Sequence, residues 1–61
     1  MKKKILILAG GISNERLISL ETAKGVYEEL KKKGYNVIRS EPDGDLIKNI
    51  KKFKPQIIFN A

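Results

Sequence analysis

A chain of 61 residues supports one small domain, and a fold of this size buries only about 60% of its unfolded surface. It contains neither cysteine nor histidine, which excludes disulfide staples and cysteine–histidine metal clusters as reinforcement. The formal net charge of +6 raises nucleic-acid binding, but the lysines gather at element ends, Lys2 to Lys4, Lys31 to Lys33 and Lys51 to Lys54, with no aromatic platform or recognition-helix pattern among them. Lysines so placed complement helix carboxyl ends and keep sheet edges soluble, so no nucleic-acid partner is expected.

The opening, "MKKKILILAGG", begins at Met1 and superficially resembles a signal peptide. Its unbroken apolar run, Ile5 to Ala9, is shorter than the ~7–15 residues of a secretory core. Nothing in the chain approaches the ~18 apolar residues of a membrane span. A cytoplasmic protein without a membrane partner is the expectation, and the missing cysteine fits a reducing compartment. The other end, "PQIIFNA", reads as a strand that stops without a turn or cap, as expected of the amino-terminal piece of a longer protein.

Lys3 to Ala9 predicts a strand buried on both faces of a parallel sheet, ended by Gly10 and Gly11. From about Ser19 the period changes. Leu20, Ala23, Val26, Tyr27 and Leu30 form one apolar helix face opposite Glu21, Lys24, Glu28 and Lys31, and Gly34 supplies a left-handed stop. Gly25 inside this helix costs about 1 kcal/mol against alanine, and close approach of helix to sheet is the expected compensation. Tyr35 to Ser40 is a second strand, and "EPDGD" a turn. Leu46, Ile47, Ile50 and Phe53 mark a short second helix, with Asp43 or Asp45 as its cap and Pro55 as its breaker. Gln56 to Asn60 is a third strand. Tyr27 and Phe53 are expected in the core.

The order β-α-β-α-β predicts an α/β fold: a small parallel three-stranded sheet resembling half of a Rossmann fold, with the first strand central and helices on both faces. Ligands of such sheets bind beyond the carboxyl ends of the strands. That places the segment after Ala9 at a candidate site, beside the end of the third strand.

The glycine pair in this segment is not a nucleotide fingerprint. "GGISNER" lacks the third glycine of G-x-G-x-x-G and the Gly-Lys-Ser/Thr ending of a Walker loop, and the acid Glu15 opposes a phosphate. Gly10 and Gly11 either turn the chain sharply or admit a ligand closely, and spacing does not decide between the two. Glu15 and Arg16 are either a solvated pair or a ligand contact, a carboxylate beyond the sheet being suited to an ammonium group. Ser13 and Ser19 can bond a ligand, but capping the following helix is the simpler role for each.

"GGISNERLISLETA" closely resembles the amino-terminal motif of the D-alanine–D-alanine ligases: a Gly-Gly, a Ser, then Glu-Arg, a β-branched residue and Ser-Leu. "PDGDLIKNIKKFKPQIIFNA" resembles the family's next segment, which normally runs on into Leu-His-Gly. The resemblance covers nearly the whole chain, and its first segment is the specific part. It implies an ATP-grasp enzyme of peptidoglycan synthesis, in which ATP phosphorylates the carboxylate of one D-alanine and the amine of a second attacks the acyl phosphate. ATP and magnesium (or manganese) would sit in the central and carboxy-terminal domains, so residues 1–61 would be an incomplete amino-terminal substrate domain that binds neither. The implied partner is the small molecule D-alanine, and the resemblance allows a homodimer. Glu15 matches the catalytic-site carboxylate that contacts the first D-alanine's ammonium and helps anchor neighbouring loops. Ile18 matches a residue near that substrate, Ser19 the serine opening the helix, and Gly10 and Gly11 the loop of the amino-acid pocket. The family's pocket histidine would follow Ala61.

Two positions depart from the pattern: Leu17 where many members have an acid, and Ala23 where many have glycine. The second suggests altered helix packing, with Gly25 taking the close contact. Two alternatives stand beside this expectation: another amino-acid or dipeptide ligase of the same architecture, and a stand-alone binding module without enzymatic activity.

Overall fold

The computed structural model describes residues 3–12 and 14–61. Met1, Lys2 and the candidate cap Ser13 lie outside the described residues. The elements run in the order β1 (Lys4–Leu8), α1 (Arg16–Lys32), β2 (Asn36–Ser40), α2 (Leu46–Phe53) and β3 (Ile57–Asn60). The sheet has the order β2-β1-β3, and β1 pairs in parallel with both neighbours. The expected architecture, with the first strand central, is therefore the observed one.

Register explains where a ligand can reach. Leu8 lies opposite Ser40 on one side and Asn60 on the other, so all three strands end at one level. The next backbone bonds continue the ladder: the Ala9 amide donates to Ser40 at 3.0 Å, and the Ala61 amide to Leu8 at 2.9 Å. The loops after β1 and β2 and the chain after β3 thus share one edge.

The central strand is apolar without alternation because both its faces are covered: Ile5, Leu6 and Ile7 are all buried. Ile5, Ile7 and Ala9 point to one face, where they form a core with Ala23 and Val37 under Leu20, Val26, Tyr27 and Leu30 of α1. Leu6 points to the other face. There α2 is tied down by Asn49, whose side-chain amide donates to Ser40 Oγ at 3.0 Å, and by Phe53, whose ring centre is 5.7 Å from Lys4 Nζ. Burying a side chain such as Leu6 or Ile7 contributes about 1.5–3 kcal/mol. β3, at the sheet edge, leaves Ile57, Ile58 and Phe59 exposed.

Helix ends follow local chemistry. Gly34, at φ +89°, closes α1: its amide donates to Lys31 and that of Tyr35 to Leu30, the paired bonds of a left-handed helix stop. α2 ends on Lys54 in the left-handed region (φ 54°), whose amide donates to Ile50, and Pro55 follows. At the start of α2, Asp45 holds the cap position without a side-chain cap bond, while the Asp43 carboxylate accepts the Asp45 amide at 2.9 Å.

The structure corrects three expectations. α1 begins at Arg16, three residues before Ser19, because Leu17 and Ile18 of its first turn face outward and break the apolar period. Ser19 consequently lies inside the helix and does not cap it. Gly25 makes no close contact with the sheet: it is exposed, and a Cβ there would meet nothing within 4 Å. The close contact belongs to Ala23, which is 0% exposed.

Candidate amino-acid site

The glycine pair is needed where two loops press together. Gly10 and Gly11 adopt φ +94° and +91°, conformations that side chains disfavour. A Cβ on Gly10 would stand 2.7 Å from Glu41 Oε1, and one on Gly11 would stand 3.3 Å from Pro42 Cγ. The β1–α1 loop is therefore packed on the β2–α2 loop.

Arg16 and Glu41 join these loops. Arg16 Nη1 donates to Glu41 Oε1 at 2.7 Å and Nη2 to Oε2 at 3.1 Å, a bidentate pair. Glu41 Oε1 also accepts the Gly11 amide at 3.3 Å, and Arg16 Nη1 reaches the Gly11 carbonyl at 3.5 Å. The two side chains are 41% and 40% exposed, so the pair contributes about 1 kcal/mol at most to stability. Its larger effect is geometric. In dinucleotide-binding folds an acid following the glycine loop takes a ribose hydroxyl. Glu41, at the end of β2, has both oxygens engaged by Arg16, which removes that use.

On the other flank Ser19 makes a second junction. Its Oγ accepts the Gly10 amide at 3.0 Å and donates to the Ala61 carbonyl at 3.0 Å. The amides of both glycines are thus committed within the protein, one to Ser19 and one to Glu41, and are not available as a phosphate cradle.

Beside the Ser19–Ala61 junction lies an open cavity of about 210 Å³ lined by Gly10, Glu15, Ile18, Ser19, Thr22 and Ala61. Four of the five residues singled out from sequence, Gly10, Glu15, Ile18 and Ser19, meet there. Gly11 does not line it and faces Pro42 instead. The cavity is smaller than the ~300–1,000 Å³ of pockets for drug-sized ligands, so it offers room for a small molecule. Glu15 and Ile18 are exposed, so a carboxylate and an apolar side chain are both accessible beside it. A carboxylate in this position can receive an ammonium group. A larger cavity of about 320 Å³ opens beside Glu41, where the Asn49 side chain donates to Ser40 and Asp43 accepts the Asp45 amide.

The sequence gives no sign that Thr22 and Glu41 belong to this region, and Arg16, expected to act with Glu15, pairs with Glu41. Thr22 stands four residues after Ile18, a spacing that shares a helix face. The Arg16–Glu41 pair spans 25 residues and has no local signal. Among the described residues no cluster of three or more His, Cys, Asp or Glu is placed to hold a metal ion, and no helix is long and apolar enough to cross a membrane.

Comparison with curated proteins gives a consistent answer. The chain is 67% identical over 61 residues to a D-alanine–D-alanine ligase of Pelagibacter ubique (strain HTCC1062), covering 100% of this chain and 20% of the relative. It is 44% identical over 59 residues to the D-alanine–D-alanine ligase of Parvibaculum lavamentivorans, covering 97% of this chain and 19% of that protein. It is 41% identical over 58 residues to that of Carboxydothermus hydrogenoformans, covering 95% and 19%. The chain spans about one fifth of the length of these relatives and matches their amino-terminal part. No protein-family model matches the chain, and no solved structure does.

Proposed function

From the premise that this chain belongs to the D-alanine–D-alanine ligase family, we propose that it forms the first-substrate side of a ligase that joins two D-alanines with ATP. The observation that carries this is the meeting of Gly10, Glu15, Ile18 and Ser19 around one small cavity at the carboxyl edge of the sheet. In this reading the Glu15 carboxylate receives the ammonium of the first D-alanine by a charge-assisted hydrogen bond. Ile18 gives the substrate methyl group an apolar wall. Ser19 fixes the cavity floor through Gly10 and Ala61.

The described residues do not fit a triphosphate. The glycine amides are occupied, a carboxylate stands beside them, and no acidic cluster offers to hold magnesium or manganese. In this proposal ATP and its metal ion bind other parts of such a ligase, and this segment contributes binding and orientation of an amino acid. The exposed apolar residues of β3 supply a surface on which those parts can pack. Within this proposal the enzyme works in the cytoplasm, supplying a dipeptide for cell-wall precursors.

The test is the reaction itself. An intact ligase carrying this sequence should release phosphate from ATP only when D-alanine is present, with D-alanyl-D-alanine as product. The 61-residue chain alone should release none. Phosphate release without dipeptide, or dipeptide from L-alanine alone, contradicts the proposal.

A further inference from the structure

We propose that Glu41, outside the substrate cavity, is a positioning residue that acts through Arg16 to fix Glu15 for recognition of the first substrate. This rests on the assignment of Glu15 to the substrate ammonium made above. Glu41 leaves the end of β2, a strand neighbouring the one from which the Glu15 loop departs. One carboxylate grips that loop near both its ends: it accepts the Gly11 amide at the start and takes both Arg16 nitrogens at the finish. Arg16 is the residue next to Glu15 and the first of α1.

The need for such a grip follows from the loop's composition. Two consecutive glycines at positive φ give this exit from β1 wide backbone freedom, and Glu15 lies downstream of them. Ser19 anchors the helix toward β3, through Ala61. The pair with Glu41 ties the first turn of the helix toward the end of β2, ahead of where Ala23 packs on Val37. Because both side chains are partly exposed, loss of the pair changes folding little and should be felt in where Glu15 is held.

A double-mutant cycle in the intact ligase tests this. Glu41→Gln should raise the KM for the first D-alanine roughly 5- to 20-fold, since misplacement of a bound substrate by ~1 Å can cost up to ~100-fold. The KM for ATP should stay within about twofold, and Glu41→Asp, which keeps the charge, should recover most of the loss. In the Glu15→Gln background the Glu41 substitution should add nothing, because its route of action is already removed. Two results overturn the inference while leaving the substrate assignment intact: a Glu41→Gln enzyme indistinguishable from wild type beside an impaired Glu15→Gln, or fully additive losses in the double mutant. An unimpaired Glu15→Gln enzyme is a different pattern and removes the substrate assignment together with the inference. If Glu41→Gln fails to fold, Arg16→Met breaks the same pair from the other side and enters the same cycle.

Discussion

Ser19 donates its hydroxyl proton to the carbonyl of Ala61 at 3.0 Å, bridging 42 residues of sequence, and the same oxygen accepts the Gly10 amide. A residue that looks like a helix cap is thereby a tie between the exits of β1 and β3. Ser19→Ala leaves two part-buried backbone groups without this partner and should destabilise the protein by about 1–2 kcal/mol. Denaturant unfolding checks the magnitude, and hydrogen exchange at the Gly10 amide checks the cause. Unchanged exchange at Gly10 would show that the bond does not persist in solution.

The two kinds of glycine should respond oppositely to alanine. Gly10→Ala forces a side chain into φ +94° and against Glu41 Oε1, and should cost about 1–3 kcal/mol. Gly25→Ala meets open space within a helix and should stabilise by about 0.5–1 kcal/mol. Unfolding midpoints of the two variants, measured side by side, give the signs.

Ala23 sets the spacing of α1 over the sheet, since it is wholly buried against Ile5, Ile7 and Val37. Ala23→Leu adds volume where none is free and should destabilise by about 1–3 kcal/mol. Ala23→Gly removes a wholly buried methyl as well as helix propensity and should cost about 1–2 kcal/mol. A leucine variant as stable as wild type would show that the helix lifts from the sheet without penalty.

The parts of the fold that were legible in the sequence are those with local causes. The run from Ile5 to Ala9 announces a strand covered on both faces, and the order of elements announces a parallel sheet, in which that strand proves central. Gly34 announces the end of α1. The start of α1 is hidden because Leu17 and Ile18 point outward, so the apolar period begins a turn late. Gly25 was misread because a helical glycine has two explanations, tight packing or mere tolerance, and only tertiary structure separates them. At the site, Glu15 beside Arg16 is open to two readings from the residues, and the substrate role comes from the family resemblance of the motif. Glu41 does not stand out, because its meaning depends on a partner 25 residues away, brought near by the parallel pairing of β1 and β2.

The proposed function stands on the Glu15 carboxylate receiving the ammonium group of the first D-alanine. The most direct measurement is steady-state kinetics of Glu15→Gln in the intact ligase, with D-alanine and ATP varied separately. Glutamine keeps the shape and removes the charge. A hydrogen bond to a charged group contributes about 1.5–3 kcal/mol, and each ~1.4 kcal/mol is tenfold in affinity. The KM for the first D-alanine should therefore rise roughly ten- to a hundredfold while that for ATP stays near its wild-type value. Turnover should fall as well, because a misplaced substrate presents its carboxylate poorly for reaction. A folded Glu15→Gln enzyme whose D-alanine constants lie within about twofold of wild type, the effect expected of a solvated surface charge, would contradict the account.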